Sequence, residues 1–170
     1  MIRPIVLWGD GVLEKPAETV VNITDKEIQL VRDMIETMYK APGVGLAANQ
    51  VGVAQRIMVT DPTAGEKKNQ LITVVNPEIV GVDGEQYEEE GCLSVPGFSA
   101  EVVRPKKVII RGVDLNGKEV IVEGSDLLAR AFCHEMDHLN GKFFLDHLSF
   151  IKRDIIKRRI RKMMRDGKWD

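Results

Sequence analysis

Cysteine is scarce in this chain: 170 residues hold only Cys92 and Cys133. Two thiols exclude a disulfide framework and fit a reducing, cytoplasmic setting, where a lone cysteine binds metal, does catalysis or is simply buried. Long apolar runs are also missing. Nothing approaches the roughly 18 residues that a membrane helix needs, so no membrane association is expected. The opening "MIRPIVLWGDGVLEK" has a four-residue apolar run that stops at Gly9-Asp10, too short for the core of a secretory signal. There is no internal repeat and no low-complexity linker. Histidine occurs three times, and no glutamate follows Glu135.

What is present reads as one globular domain with a sizeable core. Hydrophobic residues make up 44% and charged residues 29%. The net charge of −2 is unevenly spread. Residues 151–170 carry nine Lys/Arg against three Asp, a local +6, which leaves −8 on the remainder. The division is a main body over 1–148 and a basic extension of the same domain over 149–170. An anionic partner for that extension is expected.

The pattern predicts α+β architecture with mainly antiparallel sheet. "ITDKEIQLVRDMIETMYKAPG" is a helix opened by a Thr24/Glu27 capping box, with Ile28, Val31, Ile35 and Met38 at helical spacing. Short β-like runs follow at 56–60, 71–76, 106–113 and 118–124, with Asn116-Gly117 as a hairpin signal between the last two. "SDLLARAFCHEMDHLNG" returns to helix, with Ser125 as expected N-cap and Asn140-Gly141 as the stop. A last helix is expected from about Ser149 to Met164, with Ile151, Ile155, Ile156, Ile160 and Met163 as its apolar stripe. This order of elements does not alternate as βαβ units do.

The chemistry concentrates in "CHEMDHLNG", residues 133–141. On a helix, positions four apart differ by about 40° and one turn, so His134 and His138 can share one ion. Glu135 sits about 100° from His134, able to reach a water at that ion without being a ligand. Two helical histidines on a polar surface would be the plain alternative. With three histidines in the whole chain, their spacing around a Glu argues against it.

A catalytic site of this type keeps three protein ligands. A third histidine ten residues beyond His134 is ruled out by Phe144, and a downstream glutamate does not exist. Cys133 points about 120° away from the histidine pair and is expected in the core. Cys92, in the Gly/Pro-bounded "EEEGCLSVPG", does not follow a core pattern. Thiolate beside two imidazoles is sound coordination chemistry. Cys92 stands first as third ligand and His147 second.

"PGVGLAANQVG", residues 42–52, formally matches a dinucleotide fingerprint at Gly43, Gly45 and Ala48. It follows a helix and a proline rather than a strand, which excludes that reading. It is either a turn leading into a short helix or backbone exposed to substrate, with Gln50 offering an amide to an oxyanion.

Three segments in this order, "GVGLAANQ" at 43–50, "EGCLS" at 90–94 and "HEMDHLNG" at 134–141, resemble the signature motifs of the peptide deformylases. The resemblance spans essentially the whole chain and breaks at no position that carries chemistry. It implies an α+β fold around an H-E-x-x-H helix. It implies a metallohydrolase of protein biosynthesis that releases formate from the formylmethionine start of nascent polypeptides. The implied ligands are Cys92, His134 and His138, holding natively Fe²⁺, with Zn²⁺, Ni²⁺ or Co²⁺ able to replace it. Glu135 would be the acid–base group, with the Gln50 amide and the Leu93 N–H on the oxyanion. Leu46, Leu127, Ala131 and His134 would line the methionine pocket, and Gly45, Glu90 and Gly91 would contact peptide backbone. The basic helix resembles the extension by which some members dock on the ribosome near the exit tunnel. A monomer is expected. For Asp137 both a partner to a ligand histidine and a surface charge are open, and Arg130 lies near the pocket with no role assigned.

Overall fold

The computed structural model describes all 170 residues. Helix α1, Asp25–Lys40, opens with the expected box: Thr24 accepts from the Lys26 N–H, and Glu27 accepts from the Thr24 N–H at 3.0 Å. Its buried face is centred on Leu30, Val31, Met34 and Met38, so the apolar stripe is rotated from the expected one, and Ile28 and Ile35 lie at its margin.

Strand β1, Gly45–Ala47, leads into a single 3-10 turn at Ala48–Val51. Then come β2 (Ile57–Thr60), β3 (Ile72–Asp83), β4 (Gln86–Gly91), β5 (Ser99–Arg104), β6 (Lys107–Val113) and β7 (Glu119–Ser125). β1, β2, β3, β6 and β7 form one antiparallel sheet in that order, while β4 and β5 make a separate hairpin. The expected runs at 56–60, 71–76, 106–113 and 118–124 are β2, the first half of β3, β6 and β7. The β4–β5 hairpin was not legible: "QYEEEG" is acid-rich, and its loop carries Pro96 and Gly97. Asn116-Gly117 does mark the turn between β6 and β7. The loop is longer than two residues and is closed by Asp114 Oδ1, which accepts from the Asn116 and Lys118 N–H groups.

Helix α2, Leu127–Leu139, begins one residue later than expected. Ser125 still pairs with Lys107 at the end of β7, so the N-cap is Asp126, without a capping side-chain bond and at φ 56°. Gly141, at φ 77°, ends the helix region as the sequence indicates. α2 buries Ala129, Phe132, Cys133, Met136 and Leu139 against Met58, Val74, Val108 and Ile110 of the sheet. The approach is close: a Cβ on Gly124 of β7 would meet Leu128 and Phe132 of α2 at 2.8 Å.

Helix α3, Phe150–Arg165, is N-capped by Ser149. The expected apolar stripe is mostly unburied. Only Ile160 is enclosed, while Ile151 is 71% and Ile155 45% exposed. Ile160 joins a cluster with Leu13, Val95, Phe143, Phe144 and Leu145, edged by Trp8, Phe98 and Trp169. No helix is long and apolar enough to cross a membrane.

Candidate metal centre

Three elements meet at one end of α2. Cys92 follows the last residue of β4, in a turn closed by the Val95 N–H donating to the Cys92 carbonyl at 3.0 Å. His134, Glu135 and His138 lie on α2, and Gln50 sits on the 3-10 turn after β1. Cys92 Sγ is 3.2 Å from His138 Nε2, and the two Nε2 atoms are 3.1 Å apart. The three donor atoms all lie within 4.8 Å of one another. Ion–ligand bonds of about 2.0–2.3 Å in tetrahedral directions put ligand atoms roughly 3.3–3.7 Å apart, so the trio is nearly at the spacing a cation needs.

His134 Nδ1 is 2.7 Å from Glu90 Oε2. A carboxylate there holds the proton on Nδ1 and leaves Nε2 facing Cys92 and His138. Burial opposes a charge on His134, but neighbouring Cys92, Glu90 and Glu135 hold it well above the ordinary histidine value, so a cation entering the trio has to displace the proton on its Nε2. Burial holds His138 well below the ordinary histidine value, in the neutral form a ligand needs. Phe144 stacks on the His134 ring at 6.4 Å, and Phe143 meets His138 edge-on at 5.3 Å. Asn49 donates its amide N–H to the His138 carbonyl.

Glu90 is itself saturated. Its Oε1 accepts from Arg104 Nε at 3.1 Å and from an Arg130 terminal nitrogen at 2.9 Å. Its Oε2 accepts from Arg104 at 2.7 Å as well as facing His134. Burial opposes its charge, but the bonds from His134 and Arg104 prevail and hold the carboxyl well below the usual range. Arg104 also reaches Asp137 at 2.8 Å, and His147 lies 2.7 Å from the same Asp137 oxygen. His147 therefore belongs to this network and not to the ligand trio. Asp137 is neither of the expected alternatives alone: it touches no ligand histidine and acts on His134 only through Arg104 and Glu90. Arg130, without an assigned role in the sequence, closes the cluster by donating to Glu90 and to the Val102 carbonyl at 3.0 Å. Arg104 was missed altogether. It sits on a strand that the sequence pattern does not reveal, and only its buried charge in the folded chain identifies it.

Glu135 is 2% exposed, and its Oε2 has no partner. Burial pushes its carboxyl up to about 7. A Cβ on Gly45 would stand 2.9 Å from Glu135 Oε1, so only glycine lets β1 pass this close. Gln50 is anchored at both ends of its amide: the Ala47 N–H donates to Oε1 at 3.0 Å, and Nε2 donates to Ser94 Oγ at 3.1 Å while lying 3.8 Å from Cys92 Sγ. The Leu93 N–H has no backbone acceptor.

Beside the trio opens a cleft of about 430 Å³. Gly45, Gln50, Glu90, Gly91, Cys92, Leu93, Leu127, Ala131, His134 and Glu135 all line it, together with Val44, Phe98 and Arg130. Leu46 does not. It is fully buried and packs with α1 and β2, because alternation along β1 turns it to the opposite face from Gly45. Cys133 is in the core as expected, with burial pushing its thiol up to about 11.

Comparison with known proteins agrees with this geometry. Residues 2–154 match the family model described as polypeptide deformylase. A peptide deformylase of Acidobacterium capsulatum is 48% identical over 169 residues, covering 99% of each chain. One of Thermoanaerobacter pseudethanolicus is 51% identical over 145 residues, 85% of this chain and 88% of its own. The crystal structure of a peptide deformylase from Legionella pneumophila superposes with a TM-score of 0.91 at 44% identity, covering 100% of this chain and 99% of that one. The chain thus belongs to the polypeptide deformylases, metal-dependent hydrolases that remove the N-formyl group from the start of nascent polypeptides.

Proposed function

We propose that Cys92, His134 and His138 hold the metal, that Glu135 is the acid–base group, and that Gln50 and Leu93 serve the oxyanion. The observation that carries this reading is the convergence of three donor atoms within 4.8 Å beside a buried, unpartnered glutamate oxygen on the wall of a cleft. A divalent ion at the trio supplies Lewis acidity and a water of lowered pKa. The rest is work for the chain. Glu135 takes a proton from water as the formyl carbon is attacked and delivers it to the departing amine. A carboxyl poised near neutrality suits both halves of that cycle. The Gln50 amide, held in place by Ala47 and Ser94 with a second N–H to give, and the free Leu93 N–H donate to the oxygen on which negative charge develops. Glu90, fixed by Arg104 and Arg130, keeps the His134 ring in register. Leu127, Ala131 and the Arg130 stem give the methionine side chain an apolar wall, and Gly45, Glu90 and Gly91 leave backbone open to the peptide.

The resident ion in this proposal is Fe²⁺, with Zn²⁺, Ni²⁺ or Co²⁺ as replacements that a mixed thiolate–imidazole set accepts. The test is formate release from formyl-Met-Ala-Ser together with metal analysis of wild type and Cys92→Ser. Activity with a full complement of metal in Cys92→Ser would remove Cys92 from the ligand set. The thiolate makes the iron form prone to oxidation; equal half-lives of iron and nickel enzyme in air would contradict that.

For the extension 149–170, the proposal is a docking element on the ribosome near the exit tunnel, carried by a cytoplasmic monomer. Lys157 and Arg161 lie over the Trp8 ring and Arg158 pairs with Asp154 at 2.9 Å, but Lys152, Arg159, Lys162 and Arg165 are exposed and make no ion pair. Free cations on one helix favour a phosphate-rich surface. Ribosome pelleting that weakens with salt, and fails when Arg159, Lys162 and Arg165 become glutamate, supports it. Pelleting unchanged by those substitutions rejects it.

A further inference from the structure

We infer that Trp169 and Trp8 are positioning residues for the substrate cleft: together they hold the Cys92–Phe98 segment that forms one of its walls and tie it to α3. The segment contributes Cys92, Leu93, Val95, Gly97 and Phe98 to the cleft, yet it belongs to no strand or helix. Its own backbone bonds are two, Val95 N–H to the Cys92 carbonyl at 3.0 Å and Phe98 N–H to the Val95 carbonyl at 3.4 Å. The Trp8 backbone and the Trp169 indole grip it from outside. The Trp8 backbone N–H donates to the Ser94 carbonyl at 2.8 Å. The Trp169 ring packs on Phe98 with centroids 6.3 Å apart and planes at 55°. Trp169 Nε1 donates to the Trp8 carbonyl at 3.0 Å, so the two grips are one unit.

α3 backs that unit. Lys157 Nζ and the Arg161 guanidinium stand 6.0 and 5.9 Å from the centre of the Trp8 ring, and Ile160 between them is fully buried. A wall segment with so few bonds of its own samples other placements once a grip is released. Substrate that needs the native placement then binds more weakly, in proportion to the fraction of molecules still competent. Cys92 and Leu93 stay fixed by the end of β4 and by the bonds of Ser94 to Gln50 and Trp8, so losing the Trp169 contact frees the Gly97–Phe98 end and leaves the reacting groups in place. The expected signature is therefore a rise in KM with little change in kcat. The inference rests on the reading of this cleft as the deformylase substrate site.

The test uses the full-length, metal-loaded enzyme. Trp169→Ala should raise KM for formyl-Met-Ala-Ser about three- to tenfold with kcat within about twofold, and Trp169→Phe, which keeps a ring against Phe98 but loses the bond to the Trp8 carbonyl, should recover most of that loss. Phe98→Ala should raise KM similarly, and the double variant should be no worse than either single one, since both act through the same contact. The chain has two tryptophans, so in Trp8→Phe the emission is that of Trp169 alone. Saturating Met-Ala-Ser should change that emission. This readout decides the matter even if Trp169→Ala fails to fold. A KM within twofold of wild type in Trp169→Ala, multiplicative effects of Trp169→Ala and Phe98→Ala, or a Trp169 emission blind to ligand would each overturn the inference. Wild type that releases no formate would overturn the deformylase reading instead.

Discussion

α2 and α3 are neighbours in the chain and similar in length, 13 and 16 residues, and both show apolar residues at helical spacing. The fold treats them in opposite ways. α2 has ten buried residues, among them two histidines, a glutamate and an arginine; α3 has one. Enclosure is what turns the polar residues of α2 into chemistry. Low dielectric lifts Glu135 toward neutrality and gives weight to the four donors on Glu90. The charges of α3 remain in water, where each is worth little to stability and is free to meet a partner.

The contrast can be broken by substitutions on each side. Glu135→Gln should lower kcat about 10²- to 10⁴-fold while leaving metal content at wild-type level, the loss typical of removing a general acid–base group. Bound metal falling in parallel with kcat would mean that Glu135 is a ligand instead. Arg104→Met should cost about 3–5 kcal/mol in urea unfolding, because it takes two of the four donors from buried Glu90 and the arginine from Asp137. Gln50→Ala should lower kcat about 10²- to 10³-fold and change KM far less, as for other single oxyanion donors.

On α1, acid sharpens the comparison between enclosed and open charge. Hydrogen bonds from Thr24 hold the Glu27 carboxyl down at about 2, below its ordinary 4.5. Its contribution is thus complete above pH 4.5 and is lost as pH falls toward 2. The melting temperature of Glu27→Gln should accordingly fall less than that of wild type between pH 5 and 2.5. At the small end, Arg159→Ala on α3 should stay within about 0.5 kcal/mol of wild type; a larger loss would show that α3 is part of the core.

The helices, the capping box, the H-E-x-x-H helix and its stop are legible because each is written over a few neighbouring residues, in periodicity and cap chemistry. The ligand pair four residues apart is of the same kind. The hairpin β4–β5 is not, since β4 is acid-rich and neither strand shows the clean apolar alternation that marks one. The stripe on α3 misleads for a related reason: spacing records a face but not whether anything covers it.

By itself, the sequence determined the three helices, four of the strands, the two histidines with their glutamate, and the motif set that marks the family. Tertiary structure alone decided that Cys92 reaches His138 across 46 residues, that Arg104 locks Glu90 against His134, that Leu46 faces the core, and that Trp169 meets Phe98. Periodicity and capping are local properties of the chain. Which buried charges and rings finally touch is set by how the sheet, hairpin and helices pack, and no short stretch of sequence carries that information.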